Sequence, residues 1–354
     1  MQHGRSTVLA RMAGYLLALQ VALVAGCSRS EPVGGSGPGG FETLKLRYQA
    51  MPGQVQPAEL AASLGYLAPL QLDVVGSTIS GPQSVQAVVT GDADFGGAFN
   101  GAVINLIAGK APIRALVGYY GMDELRLTSF FTLDGSPIRS ARDLIGKKIA
   151  VNTLGAHSEF MIKEYMFRGG LNAEDVRQVM LVVMPPVNTE HALRQGQVDV
   201  AALYDMFRDR ALERGGLKTL FTDFDLFGGF TAGTYVLRND FVRDHEKTAR
   251  HFVAGVARAI EWARQAPRDE VIARFEKIIA ERGTNDDASV LKYWKSFGVA
   301  GKGGVIAERE FQVWIDWMVK DGSLKPGQLS GAQLYDNGFN PFAAEAAAAR
   351  GPSR

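Results

Sequence analysis

Residues 83–109, QSVQAVVTGDADFGGAFNGAVINLIAG, limit the possible folds more than any other stretch, because their hydrophobic period changes from helical to extended and back. Val85, Val88 and Val89 give one apolar helical face and Gly91 stops it. The run 93–97, led by Asp92 and Asp94, then reads as a short strand. Ala98, Phe99, Asn100 and Gly101 open a second helix through Val103, Ile104, Leu106 and Ile107. A strand that enters a helix through small residues turns the helix's first backbone N–H groups outward as a cradle for an anion or polar ligand. The same pattern also serves as a plain tight turn.

The grammar extends on both sides. Residues 44–48 and 72–75 read as strands around a helix at 57–64, and a hydroxyl-rich loop at 76–82 leads into the stretch above. With a further strand at 113–119 this alternation predicts a mainly parallel sheet flanked by helices, an α/β architecture with ligands at the carboxyl ends of strands. Gln54, Ser77, Thr78, Phe99 and Asn100 fall at that end.

After a strand at 127–133, Asp134-Gly135-Ser136-Pro137 breaks the chain and the grammar restarts. A strand at 148–151 runs into the polar loop Asn152–Ser158 and a helix at 160–168; strands at 179–183 and 197–203 flank a helix at 189–194. HALRQGQVDVAAL here echoes VQAVVTGDADFGG: a helix end, a glycine, then an acidic strand. Strands at 219–221 and 234–237 bracket an acidic, glycine-containing loop, and the second returns the chain to the first domain. The expectation is two lobes, residues 41–133 plus 231–342 and residues 134–230, joined by a two-strand hinge. Helical periodicity around Phe252, Phe275, Trp294 and Trp314 assigns these aromatics to core, and residues 343–354 read as a frayed tail.

Residues 1–26 carry Arg5 and Arg11 before an apolar run too short to span a membrane, as in a secretion signal. Val24-Ala25-Gly26-Cys27 resembles the lipobox of bacterial lipoproteins, which implies cleavage before Cys27 and lipidation of that residue. Cys27 is the chain's one cysteine, so no internal disulfide is available. Residues 27–40 are a Gly/Pro/Ser tether. Formal net charge is +1 and falls to −1 without the leader's two arginines, which gives no electrostatic case for nucleic acid. The expected location is the periplasmic or outer face of a membrane.

Several further motifs complete a pattern. They are Gly81-Pro82-Gln83 followed by Ala87, Gly91–Gly96, Ala108-Gly109, Ser136-Pro137-Ile138, DLIGKKIAV at 143–151, Gly169-Gly170-Leu171, Pro185-Pro186 and Gly196–Asp199. In this order they resemble the periplasmic substrate-binding proteins of ABC importers of the nitrate, sulfonate and taurine type, from about residue 44 to residue 342. The resemblance implies a two-lobed, type II periplasmic-binding-protein-like fold acting as a monomer. It would close on a small organic anion and deliver it to separate permease and ATPase subunits, with no cofactor or metal. Three ligand-facing places depart from the aliphatic-sulfonate pattern: Asn100, Thr153-Leu154-Gly155-Ala156 and Tyr204-Asp205-Met206. A thiamine-precursor pyrimidine or other aromatic ligand is the alternative, and a ligand sensor is another.

The expected ligand contacts are Gln54, Ser77, Thr78, Phe99, Asn100, Tyr119, Thr153, His157, Ser158, Tyr204 and Asp205. Asn100 offers an amide that donates or accepts. His157 either donates to an anion or caps its own helix, and the hydroxyls of Ser77, Thr78, Thr153 and Ser158 carry the same two readings. Asp205 and Glu159 oppose a purely anionic ligand; an amine such as that of taurine suits Asp205. Tyr119, Tyr120, Phe99 and Tyr204 wall the pocket. No G-x-S-x-G, H-E-x-x-H or Cys/His cluster occurs, so the chain reads as a binder and not as an enzyme.

Overall fold

The computed structural model describes residues 38–283 and 286–349. The leader, Cys27 and the tether up to residue 37 lie outside the described residues, and Pro38–Gly40 form a single 3₁₀ turn. The first lobe opens with β1 (Lys45–Ala50), α1 (Pro57–Ser63), β2 (Gln71–Ser77), α2 (Gly81–Thr90), β3 (Phe95–Phe99), α3 (Asn100–Ala108) and β4 (Ile113–Met122). Then come β5 (Thr128–Leu133), β6 (Lys148–Val151), α4 (His157–Arg168), α5 (Ala173–Arg177), β7 (Met180–Val183), α6 (Pro186–Arg194), β8 (Val200–Tyr204), α7 (Asp205–Glu213), β9 (Leu217–Thr222) and α8 (Asp223–Phe227). The chain returns through β10 (Phe230–Arg238) and ends in α9 (Asn239–Asp244), α10 (Glu246–Gln265), α11 (Arg268–Glu281), α12 (Arg309–Asp321) and α13 (Ala343–Ala349).

Parallel pairing joins β1 to β2 and β6 to both β7 and β8. The strands next to the crossings pair antiparallel: β10 lies between β3 and β4, and β5 lies between β8 and β9. The five-stranded sheet is therefore mixed, β1-β2 is parallel and β3-β10-β4 pairs antiparallel throughout, since a strand that arrives from the other half of the molecule enters from the opposite end. β5, read with the first lobe in sequence, hydrogen-bonds into the five-stranded sheet β7-β6-β8-β5-β9. The DGSP break is only the turn after β5.

The echoed motifs are structural equivalents. Gly91 and Gly196 both adopt positive φ, 82° and 68°, as their helices end. The aspartate that follows each one locks the neighbouring strand. Asp94 accepts the backbone N–H of Arg47 at 2.7 Å, and Asp199 accepts that of Lys148 at 2.9 Å. In each case the aspartate's own N–H returns to the carbonyl of the same residue. This two-way clasp holds β1 beside β3 and β6 beside β8.

Behind the first sheet, α10 buries Phe252, Val253, Val256 and Ile260, and Phe252 packs on Phe95 with ring centroids 4.5 Å apart. Each such side chain contributes about 1.5–3 kcal/mol by leaving water. Residues 343–349 are helical, contrary to the expected frayed tail; alanine-rich composition favours helix, and Glu345 pairs with Lys302. Residues 350–354 lie outside the described residues. Among the described residues no helix is long and apolar enough to cross a membrane.

Candidate functional site

A cavity of 110 Å³ opens where the carboxyl ends of β3, β4 and β8 meet the start of α4. At ~10–15 Å³ of such volume per water molecule it holds several waters, enough for a small organic ligand to displace. Phe99, Tyr119 and Tyr120 form one wall, and Met51 and Gln54 come from the β1–α1 loop. His157, whose ring lies 5.2 Å from that of Phe99, also lines the cavity, with Ser158, Tyr204 and Asp205. Phe275, Trp294 and Phe297 close the end; Phe275 and Trp294 are buried in the core as expected and line this cavity as well, since helical periodicity cannot distinguish a core face from a cavity wall.

Tyr119 holds its place because Gly97 has no side chain: a Cβ there would lie 2.6 Å from the Tyr119 ring. Tyr119 also stacks on Tyr235, with centroids 4.3 Å apart. Burial pushes the phenols of Tyr119 and Tyr120 above their ordinary range and that of Tyr204 up to about 12, so all three stay neutral hydrogen-bonding groups at neutral pH. The Tyr204 hydroxyl accepts from the Gln54 amide at 3.4 Å, joining the two sides.

Two residues with no sequence signal set the electrostatics. Arg126, between β4 and β5, donates to Asp205 at 3.1 Å and to the Gly121 carbonyl at 2.6 Å, with its guanidinium 5.3 Å from the Tyr120 ring centre. Burial opposes the Arg126 charge most, but Asp205, Tyr120 and Asp223 together outweigh it and raise the Arg126 pKa. Burial likewise pushes the Asp205 carboxyl up, with Arg126 pulling against it. Asp205 sits at φ 51°, a left-handed backbone that costs a non-glycine residue on the order of 1–3 kcal/mol, at the turn that aims its carboxylate into the cavity. Asp223, at the start of α8, is fully buried; its Oδ1 accepts the Thr128 N–H at 2.9 Å and its Oδ2 lies 3.1 Å from His157 Nε2. Arg126 reads in sequence as one more turn residue and Asp223 as part of an acidic loop, and only their burial separates them from surface charges.

The structure gathers Gln54, Phe99, Tyr119, His157, Ser158, Tyr204 and Asp205 on this cavity. His157 lies on the first turn of α4, which begins earlier than expected. The other expected contacts lie elsewhere. Asn100 points away: its amide donates to the carbonyls of Thr231 and Glu310, both at 3.1 Å, and the residue is fully buried in that role. Ser77 is exposed at the end of β2, and the Thr78 hydroxyl serves the α2 turn, meeting Gln83 at 3.0 Å. Thr153 spends its hydroxyl on Ser80 at 2.9 Å, beside a bond from the Asn152 amide to the Ile79 carbonyl at 2.9 Å. Glu159 turns to the Gly155 N–H and Lys163.

The model of the family described as NMT1/THI5 like matches residues 54–270, more than half of the chain. The chain belongs to the NMT1/THI5-like family. That match spans Gln54 to Asp223 and so contains most of the cavity. A protein of Brucella abortus (strain 2308) named as a binding protein is 25% identical over 203 residues, which cover 56% of this chain and 60% of that relative. The chain thus spans about 60% of the length of the first curated relatives it matches. The periplasmic aliphatic sulphonate-binding protein SsuA of Escherichia coli superposes with TM-score 0.62 at 20% identity, over 83% of this chain and 92% of SsuA. The desulfurization enzyme DSZB superposes with TM-score 0.56 at 17% identity, over 84% of this chain and 97% of that enzyme. At these identities the likeness is one of fold: this NMT1/THI5-like chain has the architecture of periplasmic binding proteins.

Proposed function

We propose that this chain is the exported, Cys27-anchored solute-binding component of an ABC importer. Two lobes, residues 41–127 with 231–342 and residues 128–230, close on a small ligand and present it to a separate permease and ATPase. A planar, neutral or cationic nitrogen-bearing aromatic such as a pyrimidine suits the cavity better than a simple organic anion. One observation carries this choice: the cavity's arginine, Arg126, is already neutralised by Asp205, while a second carboxylate, Asp223, is buried beside it. A sulfonate entering here would meet two carboxylates whose partners, Arg126 and His157, are already engaged, and burying an unpaired charge is costly. The aromatic walls supply the matching stacking surface. A sulfonate or taurine is the second reading, because the first turn of α4 opens on the cavity and carries N–H groups without partners inside the helix.

The lining favours binding over catalysis, since no nucleophile there is paired with an activating base. A thermal-shift screen of pyrimidines, aromatic amines, taurine, alkanesulfonates and nitrate tests the choice. A ligand at 100 times its Kd adds about 2.7 kcal/mol, worth about 4 °C in a chain of this size. A shift with pyrimidines or aromatic amines and none with the anions supports the reading, and the reverse pattern overturns it.

A further inference from the structure

We propose that residues 293–298 are a strap that ties the cavity to α7, with Lys295 and Ser296 as positioning residues that act on the ligand through Trp294 and Phe297. This rests on the two-lobe, ligand-enclosing reading above and adds what holds the enclosed form together. The starting observation is a seam of acids on α7. Asp205, Asp209 and Glu213 recur every four residues and so share one helix face. Like charges at that spacing repel, and each is met by a partner from outside residues 128–230, the lobe that holds α7. Asp205 accepts from Arg126 at 3.1 Å, Asp209 pairs with Lys295 at 2.7 Å, and the Tyr293 hydroxyl donates to Glu213. Asp209 also takes Arg208 of its own helix. Tyr293 and Lys295 belong to one short segment, which leaves the 3₁₀ turn Ala288–Tyr293.

The residues between and after them are also committed. Trp294 and Phe297 line the cavity, as do Asp205 and Met206 at the start of α7. Ser296 donates to Asp123 at 2.7 Å, and the other Asp123 oxygen accepts the N–H groups of Leu125 at 2.8 Å and Arg126 at 2.7 Å, which fixes the turn that carries Arg126. The Gly121 N–H donates to the Phe297 carbonyl at 2.9 Å, and Gly121 and Gly298 pass so closely that a Cβ on either would strike the other's carbonyl. Arg268, the first residue of α11, holds the Trp294 carbonyl at 2.7 Å. The strap is thus fixed to the end of β4 and to α11, and it meets α7 through Tyr293 and Lys295. Moving α7 away from it breaks those two bonds and, in the same motion, parts Asp205 and Met206 from Trp294 and Phe297. The Lys295 side chain keeps 41% of its surface exposed against 12% for Asp209, so the pair tunes this motion by a few-fold and does not lock it.

Charge exchange tests the strap. Lys295→Glu sets like charges together at Asp209, and Lys295→Glu with Asp209→Lys restores the pair with its signs reversed. The probes for titration calorimetry on the purified full chain are 4-aminopyrimidine and ethanesulfonate, one for each ligand reading above. Lys295→Glu should weaken whichever probe wild type binds by about three- to tenfold, and the exchanged pair should recover at least half of that loss on a logarithmic scale. Ser296→Ala, which frees Asp123 without touching α7, should weaken the same probe about twofold or more. Small-angle scattering of the ligand-free proteins reads the strap without a probe: Lys295→Glu should expand the molecule relative to wild type, and the exchanged pair should return it. A loss of affinity that the exchanged pair does not recover makes Lys295 a merely structural residue and refutes the strap, as do unchanged affinity and scattering in Lys295→Glu. If wild type binds ethanesulfonate and not 4-aminopyrimidine, the pyrimidine reading falls and the same pattern on ethanesulfonate supports or refutes the strap. If it binds neither, expansion that the exchanged pair reverses supports the strap, and no expansion overturns it.

Discussion

Arg282 gives the sharpest test of how the cavity's first-lobe side is held in place. It lies just past α11 with 3% of its side chain exposed and grips Glu59, equally buried, through two bonds of 2.8 and 2.6 Å. Its remaining N–H groups reach the carbonyls of Met51 and Gln54 and the carboxylate of Asp286. Glu59 also accepts from the Tyr48 hydroxyl and the Gln56 N–H, both at 2.8 Å. Burial and the adjacent Glu59 push the Tyr48 phenol far above its ordinary range, so it acts only as a neutral donor. Arg282→Met therefore strands a buried carboxylate and frees the loop that carries Met51 and Gln54. Breaking one side of a buried pair costs about 3–5 kcal/mol. With about 2.1 cal/mol/K of unfolding entropy per residue over roughly 310 residues, that loss lowers Tm by about 5–8 °C. Ligand affinity should fall as well, since Met51 and Gln54 line the cavity. Glu59→Gln added to Arg282→Met removes the stranded charge and should restore at least half of the lost stability in urea unfolding. A single-variant loss below about 1 kcal/mol, or a double variant no more stable than Arg282→Met, would refute the argument, because desolvation of the orphaned charge is its premise.

Asn100→Ala should cost about 1–3 kcal/mol, because the buried carbonyls of Thr231 and Glu310 lose their donor; the ligand's Kd should stay constant, and a large rise in Kd would return Asn100 to the site. Glu310, which accepts the N–H groups of Thr231 and Ala307, has its carboxyl pushed above the ordinary range chiefly by burial. A raised folded-state pKa means that stability present at low pH is lost as pH climbs through it, so wild type should lose ground to Glu310→Gln as pH rises above the ordinary carboxylate range. Chemical denaturation at several pH values measures that gap, and a gap moving the other way contradicts the assignment. Asn152→Ala and Thr153→Val remove the bonds to Ile79 and Ser80 that tie the α4 loop to the α2 loop. Each should weaken ligand binding about 2–10-fold, as expected for ~0.5–1.5 kcal/mol per bond, and unchanged affinity in both would show that these bonds do not support the liganded form.

The legible part of the molecule was its repeated grammar. A helix face, a stop glycine and an acidic strand are local signals, so α2–β3 and α6–β8 were both visible, and the clasps by Asp94 and Asp199 explain why the acid recurs. Strand partnership was not legible in the same way. TSFFTL is an apolar strand wherever it pairs, and its membership in the five-stranded sheet depends on contacts with β8 and β9, distant in sequence.

The site divides along the same physical line. The aromatic wall was readable because Phe99 and Tyr204 end their strands and Tyr119 ends the stretch of β4 read from sequence, residues 113–119, and strand ends are where this architecture places ligands. The charges were not readable, because their meaning is set by partners. Asp205 alone suggests an amine site; Asp205 bonded to Arg126 is a paired unit, and Asp223 is held by the Thr128 N–H and lies 3.1 Å from His157. Asn100 shows the converse: it follows the cavity-lining Phe99 directly, yet at the first position of α3 its amide turns to the backbone of β10 and α12. The opening stretch of sequence supplies Ala98 and Phe99 to the cavity wall, and His157 and Asp223 come from the first residues of α4 and α8.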